Sequence, residues 1–170
     1  MYTFSVLESS REEEVMRLIG RSVARLEELG IHQWDEIYPD AGTIRKDLES
    51  GTMRGLFSDG ILAGIFVLNE YQDREYSDVA WEIDDPRPLV FHRLCVDPDW
   101  QGKGLAKRIM GYVDEYARDH GYRSLRFDAF SENPISLGLY RALGYCERGQ
   151  VRFRKGLFFC FEKKYKQPTE

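Results

Sequence analysis

Gln101-Gly102-Lys103-Gly104 stands between a hydrophobic run closed by Pro98 and a helical pattern that begins at Leu105. A helix start carries four amides without intrahelical partners, and its aligned peptide dipoles place partial positive charge there. Glycines have no side chain to hold a ligand away and accept turn angles closed to other residues. The stretch therefore reads as a loop whose amides close around an anion, most simply a diphosphate, with Lys103, Lys107 and Arg108 at its rim. It lacks the GxxxxGKS/T spacing of a nucleotide-hydrolysing loop and the GxGxxG of a dinucleotide site, so ATP and NAD explain it poorly.

The elements that must hold this loop follow from periodicity. Thr3 to Leu7 reads as a strand, and Ser10 with Glu13 forms a capping box for a helix carrying Val15, Leu18, Ile19, Leu26 and Leu29 up to Gly30. A second helix spans Thr43 to Glu49. Met53 to Phe57 and Ile61 to Leu68 flank Asp59-Gly60, a tight antiparallel hairpin. Residues 69–88 are polar and aromatic, a long loop with a strand extension at Val79 to Ile83. Leu89 to Val96 is the strand before the glycine loop, ended at Pro98, which has no N–H for a ladder.

Leu105, Ile109, Met110, Val113, Tyr116 and Ala117 share one helical face up to Gly121. Ser124 to Ala129 is a further strand, and Asn133-Pro134 opens a helix to about Leu143. Tyr145 to Val151 and Leu157 to Phe161 form a closing pair around the turn RFRKG. The order predicts an α/β fold: a mixed, mostly antiparallel central sheet of six to seven strands with helices on both faces, in a single domain over 1–165 with a tail at 166–170. The final strand GLFFCF is open to two readings, a pairing edge in a homodimer or an internal core strand.

With 170 residues, 42% hydrophobic and 31% charged, the chain is long enough for one core and too rich in apolar residues for disorder. The net charge of -5 disfavours nucleic acid and anionic membrane surfaces as partners. The start MYTFSVLESSREEE has no signal-peptide pattern, and no apolar run reaches the length of a membrane span. Cys95, Cys146 and Cys160 lie in or beside hydrophobic runs without metal-ligand spacing, so no metal is expected; they read as buried thiols of a cytoplasmic protein.

The run Leu94-Cys95-Val96-Asp97-Pro98 followed by Gln101-Gly102-Lys103-Gly104-Leu105-Ala106 resembles the acetyl-CoA-binding motif of the GNAT superfamily of N-acetyltransferases. The family pattern Q/R-x-x-G-x-G/A is filled by Gln101, Gly104 and Ala106. Asn133 with Leu139-Tyr140-Arg141-Ala142-Leu143-Gly144-Tyr145 resembles its second signature, and the order of elements is similar over nearly the whole chain. The resemblance implies a GNAT-like fold with acetyl-CoA as cofactor. Its pantetheine arm would lie along the backbone of Leu94, Cys95 and Val96, and its pyrophosphate on the amides of Gln101 to Ala106.

The implied reaction is direct acetyl transfer to a primary amine of a small molecule or peptide; the alternative is a non-catalytic acyl-CoA-binding or sensing module. The departing thiolate wants an acid, which the resemblance assigns to Tyr140. Asn133 has two roles open, as cap of the helix at Pro134 or as a bond to the pantetheine arm. For the base that frees the amine of its proton, Glu82, Asp84 and His92 are the candidates, beside a water chain that needs no unique residue. Alternation puts His92 on one face with Val90, Leu94 and Val96. The aromatics Trp34, Tyr38, Tyr71, Tyr76 and Trp81, with the carboxylates around them, suggest an acidic, aromatic mouth for a cationic amine.

Overall fold

The computed structural model describes residues 1–166, so residues 167–170 of the expected tail lie outside the described residues. Seven strands form one sheet in the order β1-β2-β3-β4-β5-β7-β6, flanked by helices. The chain groups into two compact units. One holds residues 1–68 and 92–109, the other residues 69–91 and the chain from Met110 on.

In the first unit β1 (Tyr2–Val6), β2 (Met53–Ser58) and β3 (Ile61–Asn69) pair antiparallel. Asp59 and Gly60 both take positive φ, 49° and 83°, as a primed hairpin turn requires. α1 (Glu12–Glu28) and α2 (Ala41–Glu49) bury Val15, Leu18, Ile19, Ile44 and Leu48 in one cluster with Leu7, Met53, Ile65, Val67 and Cys95. The capping box at Ser10 does not form. The chain enters α1 through a 3-10 turn, Ser9–Arg11, so the cap position falls on Arg11, with no side-chain bond. Glu12, Glu13 and Glu14 face the helix dipole in the first turn instead. α2 is capped by Asp40, whose Oδ1 accepts from the Thr43 amide at 2.8 Å.

Gly55 on β2 is a packing requirement. A Cβ there would meet Leu7 Cδ2 at 2.7 Å, Leu62 Cδ1 at 2.8 Å and Phe57 Cε2 at 2.9 Å.

β4 (Leu89–Val96) and α3 (Leu105–Asp119) contribute to both units. In the second unit β4 pairs parallel with β5 (Ser124–Phe130) at Leu89–Leu125 and Val90–Arg126. β7 (Gly156–Lys164) lies between β5 and β6 (Cys146–Phe153), antiparallel to both, so GLFFCF is an internal strand without an open edge. The closing strands run into RFRKG, with Phe153 opposite Gly156, leaving Arg154 and Lys155 as the turn. Cys95 and Cys160 are buried, but Cys146 is exposed, at the start of an edge strand.

The strand extension expected at Val79 to Ile83 is absent. A 3-10 turn, Arg74–Asp78, precedes it, and side chains take the place of a ladder: the Glu82 amide donates to Glu162 at 2.7 Å, and the Ile83 carbonyl accepts from Arg126. Asp114 on α3 accepts from the Tyr145 hydroxyl at 2.9 Å, the Tyr165 hydroxyl at 2.7 Å and Lys163 Nζ at 2.6 Å. Burial, then the charge of Asp114, holds both phenols well above the ordinary tyrosine range.

Two stability outcomes follow from this packing. Gly55→Val is expected to cost on the order of 1–3 kcal/mol through overpacking, read as a lower urea midpoint at unchanged slope. Because the folded state keeps phenolic protons that the unfolded chain releases above about pH 10, the stabilisation from Tyr145 and Tyr165 is full below that pH and fades as pH rises past it. Urea midpoints at pH 8 and pH 10.5 should differ, and Tyr165→Phe should narrow the gap.

Candidate functional site

In the first unit, β4 runs into the loop through a 3-10 turn, Pro98–Trp100, capped by Asp97, whose Oδ1 accepts from the Asp99 amide at 3.0 Å. Three bonds fix the strand end. The Asp97 amide donates to the Ala63 carbonyl at 3.0 Å, and the Val96 carbonyl accepts from Ser22 Oγ at 3.2 Å and from Gln101 Nε2 at 3.0 Å. The Gln101 side chain thus folds back on the strand while its backbone leads into the turn. At Cys95 the neighbouring β3 backbone comes close, since a Cβ on Gly64 would lie 3.2 Å from the Cys95 carbonyl oxygen.

Gly102 and Gly104 both have positive φ, 74° and 78°, and a Cβ on either would project into open space. The turn is therefore shaped by backbone angles that favour glycine, and the space a side chain at either glycine would first enter is clear of protein atoms. The first backbone bond of the helix runs from the Arg108 amide to the Gly104 carbonyl at 3.1 Å. The amides of Leu105, Ala106 and Lys107 precede that bond and belong to the set an α-helix leaves without ladder partners. Leu105, the first residue of α3, is buried at 2% exposure and packs the start of the helix into the core. Lys103 Nζ lies 4.7 Å from the Trp100 ring centroid, and the Arg108 guanidinium 4.5 Å from that of Tyr2. A rim of cations around open amides fits a diphosphate, and so fits the phosphate end of acetyl-CoA.

Leu94, Cys95 and Val96 precede this mouth on β4. Burial pushes the Cys95 thiol up to about 12, so it is no ready nucleophile. His92 is half-buried on the same strand. Between them Arg93 takes φ 54°, so strict alternation does not run through the strand and His92 does not share one regular face with Leu94 and Val96. Arg93 grips Asp47 of α2 with two bonds of 2.7 Å and donates to the Tyr38 hydroxyl at 2.7 Å.

The second unit holds the other expected residues. α4 (Pro134–Ala142) is capped by Asn133, whose Oδ1 accepts from the Ser136 amide at 3.1 Å. Tyr140 is 5% exposed in an aromatic box, its ring centroid 4.6 Å from Phe127 and 5.6 Å from Phe161. Burial, then the nearby Asp128 carboxylate, raises the Tyr140 hydroxyl well above the ordinary tyrosine value. Asp128 also accepts from the Tyr76 hydroxyl at 2.7 Å.

Glu82 belongs to an ion-pair network instead of facing an open cleft: Arg148 and Lys164 both hold its carboxylate. Behind it Arg126 donates to Glu162 at 3.3 Å and to Gln72 at 2.8 Å, with its guanidinium 4.5 Å from the Trp81 ring centroid. Arg148 Nε lies 3.3 Å from Glu162, close enough for attraction but not aligned for a hydrogen bond, which leaves a buried N–H without a partner among the described residues. The acidic mouth is correspondingly reduced. Glu70 is paired with Arg87, and Asp85, 8% exposed, accepts from Ser124 Oγ and the Arg87 amide. A cavity of about 420 Å³ lies among Gln72, Asp73, Arg74, Tyr76, Ser77, Trp81 and Arg126.

Sequence reading missed two groups. Asp47 was legible in principle, since it falls with Ile44 and Leu48 on the buried face of α2, where a carboxylate demands a cation. Asp128 carried a weaker signal, a carboxylate between Phe127 and Ala129 in a largely buried strand.

A family model described as "Acetyltransferase (GNAT) family" matches residues 21–145. Human N-acetyltransferase 8B is 37% identical over 79 residues, 44% of this chain and 34% of that protein, so the chain spans about a third of the length of this relative. The fold is similar to that of a GNAT-family acetyltransferase from Streptococcus agalactiae 2603, with a TM-score of 0.85 at 23% identity over 98% of this chain and 96% of that one. It is also similar to yncA of Salmonella typhimurium, solved with its cofactor acetyl-CoA, with a TM-score of 0.71 at 16% identity over 100% and 97% of the two chains. The match from Arg21 to Tyr145 takes in both the glycine turn with the mouth of α3 and the capped helix that carries Tyr140, and on it the chain belongs to the GNAT family of acetyltransferases.

Proposed function

We propose that the protein transfers the acetyl group of acetyl-CoA directly to a primary amine of a small molecule or peptide. The observation that carries this reading is the open turn at Gly102 and Gly104, where positive φ and clear space leave the α3 amides ready for a diphosphate. That the solved yncA relative holds acetyl-CoA supports the choice of cofactor.

On this reading the amides of Gln101 to Ala106 bind the pyrophosphate, and Lys103, Lys107 and Arg108 add charge at the rim. The backbone of Leu94 to Val96 lies along the pantetheine arm. Bound acetyl-CoA supplies an activated acyl group: the C–N bond forms as the C–S bond breaks, the amine gives up a proton, and the sulfur gains one. Tyr140 is the donor to sulfur. Its raised pKa keeps the phenol protonated across the neutral and mildly alkaline range, and among the described residues its hydroxyl donates to no acceptor. Asn133 holds α4, and with it Tyr140, in place through its cap.

The proton from the amine passes to water or to His92. Glu82 is the poorer candidate, since two cations occupy its carboxylate. With Cys95 and Cys160 both raised to about 12 by burial, a covalent acyl-enzyme route through either of them is disfavoured. For the acceptor, the cavity beside Tyr76 and Trp81 is of the size of a small amine or a peptide end, and Asp128, which accepts from the Tyr76 hydroxyl, is also close enough for its charge to raise the Tyr140 hydroxyl.

Calorimetric titration with CoA should show saturable binding, and Gly104→Val, which forces a β-branched residue to φ 78°, should weaken it by on the order of tenfold or more. No binding to the parent at millimolar CoA would remove the cradle and the reaction together. Thiol release from acetyl-CoA with a panel of amines separates an enzyme from a binding module. Tyr140→Phe is expected to lower kcat by roughly 100-fold with CoA affinity kept. Since the phenol titrates above its ordinary value near 10, kcat/KM should rise with pH through amine deprotonation and show no Tyr140-dependent descent below pH 10. A descending limb there that vanishes in Tyr140→Phe would contradict the assigned role.

A further inference from the structure

We infer that Arg93, with Asp47 and Tyr38, is a positioning residue that sets the shape of β4 for cofactor binding; this rests on the acetyl-CoA reading above. A bulky residue at φ 54° inside a strand is a strained conformation that persists only where its surroundings over-determine it. Those surroundings are specific. The guanidinium fork meets both oxygens of Asp47 at 2.7 Å, with the two side chains only 13% and 9% exposed, and a further donor reaches the Tyr38 hydroxyl at 2.7 Å. Burial opposes the charge, but the bonds to Asp47 and the contact with Tyr38 outweigh it, and the guanidinium pKa stands above its ordinary value.

The location gives this latch its consequence. Arg93 is followed immediately by Leu94, Cys95 and Val96, and the far end of that stretch is pinned by Ser22, Gln101 and the Asp97–Ala63 bond. The three peptide groups proposed to meet the pantetheine amides are thus held at both ends. The downstream bonds fix their position, and the Arg93 kink fixes their direction. A regular strand would turn its N–H and C=O groups into the plane of its own ladder; a residue at positive φ rotates the peptides that follow it. Tyr38 lies in the segment between α1 and α2, so the latch ties that segment and α2 to the cofactor strand.

The test separates this role from simple stability. The double variant Arg93→Gly/Asp47→Leu removes both charges, so no stranded carboxylate remains, and leaves glycine at the one position where positive φ costs nothing. It is expected to fold with a circular dichroism spectrum and melting temperature close to those of the parent. Its calorimetric Kd for CoA should rise by roughly tenfold, because an unpinned strand must be ordered on binding. KM for acetyl-CoA should rise in step while kcat at saturation is largely kept, whereas a loss of folded fraction would lower kcat and leave KM alone. Arg93→Lys keeps the charge but not the two-pronged grip, and should fall between. A folded double variant, or a folded Arg93→Lys protein where the double variant does not fold, with CoA affinity within twofold of the parent overturns the inference. Failure of the parent to bind CoA would instead take down the cofactor reading itself, and this proposal with it.

Discussion

Strand β4 and the turn that follows it depend on backbone that departs from regular geometry at two places, φ 54° at Arg93 and the paired positive angles at Gly102 and Gly104. They bracket the stretch from Leu94 to Gln101, and they are maintained differently. At the turn, glycine makes the required angles inexpensive, so nothing further has to hold them. At Arg93 the side chain opposes the angle, and a buried ion pair has to offset it. The second solution draws α2 into the definition of β4, since Asp47 is its chief partner. A helix far along the chain thereby becomes part of the local geometry of the strand.

The second unit is organised by a different problem, the disposal of charge inside a sheet. Arg126, 4% exposed on β5, and Glu162, 1% exposed on β7, are opposite one another in register, and neither could be buried alone. Gln72, the Ile83 carbonyl and the Trp81 ring complete the shell around the guanidinium, while Glu82, Arg148 and Lys164 extend the network outward. This explains why a polar segment of nineteen residues without a strand is nonetheless ordered between β3 and β4. Its backbone and side chains are fastened to the sheet by charge-assisted bonds in place of a ladder. Within that segment Glu70 and Glu82 are neutralised by ion pairs, with Arg87 and with Arg148 and Lys164.

Tyr140 shows how the same dry interior yields chemistry on the proposed reading. The aromatic box of Phe127, Phe161 and Tyr145 excludes water, and Asp128 adds negative charge, so both effects favour the protonated phenol. Burial that keeps the phenol protonated also makes it a weaker acid, so the departing thiolate has to be desolvated in the same dry interior to become basic enough to take the proton, and once protonated it is kept from returning to the acyl carbon. The thiols of Cys95 and Cys160 are suppressed by burial, which disfavours an acyl-enzyme route through either of them.

By itself the sequence determined the order of elements, the glycine turn at the mouth of α3 and the primed hairpin at Asp59-Gly60, because each is encoded within a few residues by angles or periodicity that local chemistry dictates; for Asn133 it left two roles open, and the structure shows the cap. It failed where a local preference competed with a distant partner. Ser10 could have capped α1, but the approach through Ser9–Arg11 put the cap on Arg11. Val79 to Ile83 had strand character, but Arg126 and Glu162 claimed its polar groups. Only the tertiary structure decided that Arg93 meets Asp47, that Glu82 is consumed by Arg148 and Lys164, and that GLFFCF is paired on both sides. Each of these joins residues tens of positions apart, and the charge of a side chain announces that it needs a partner without saying which one the fold will bring to it.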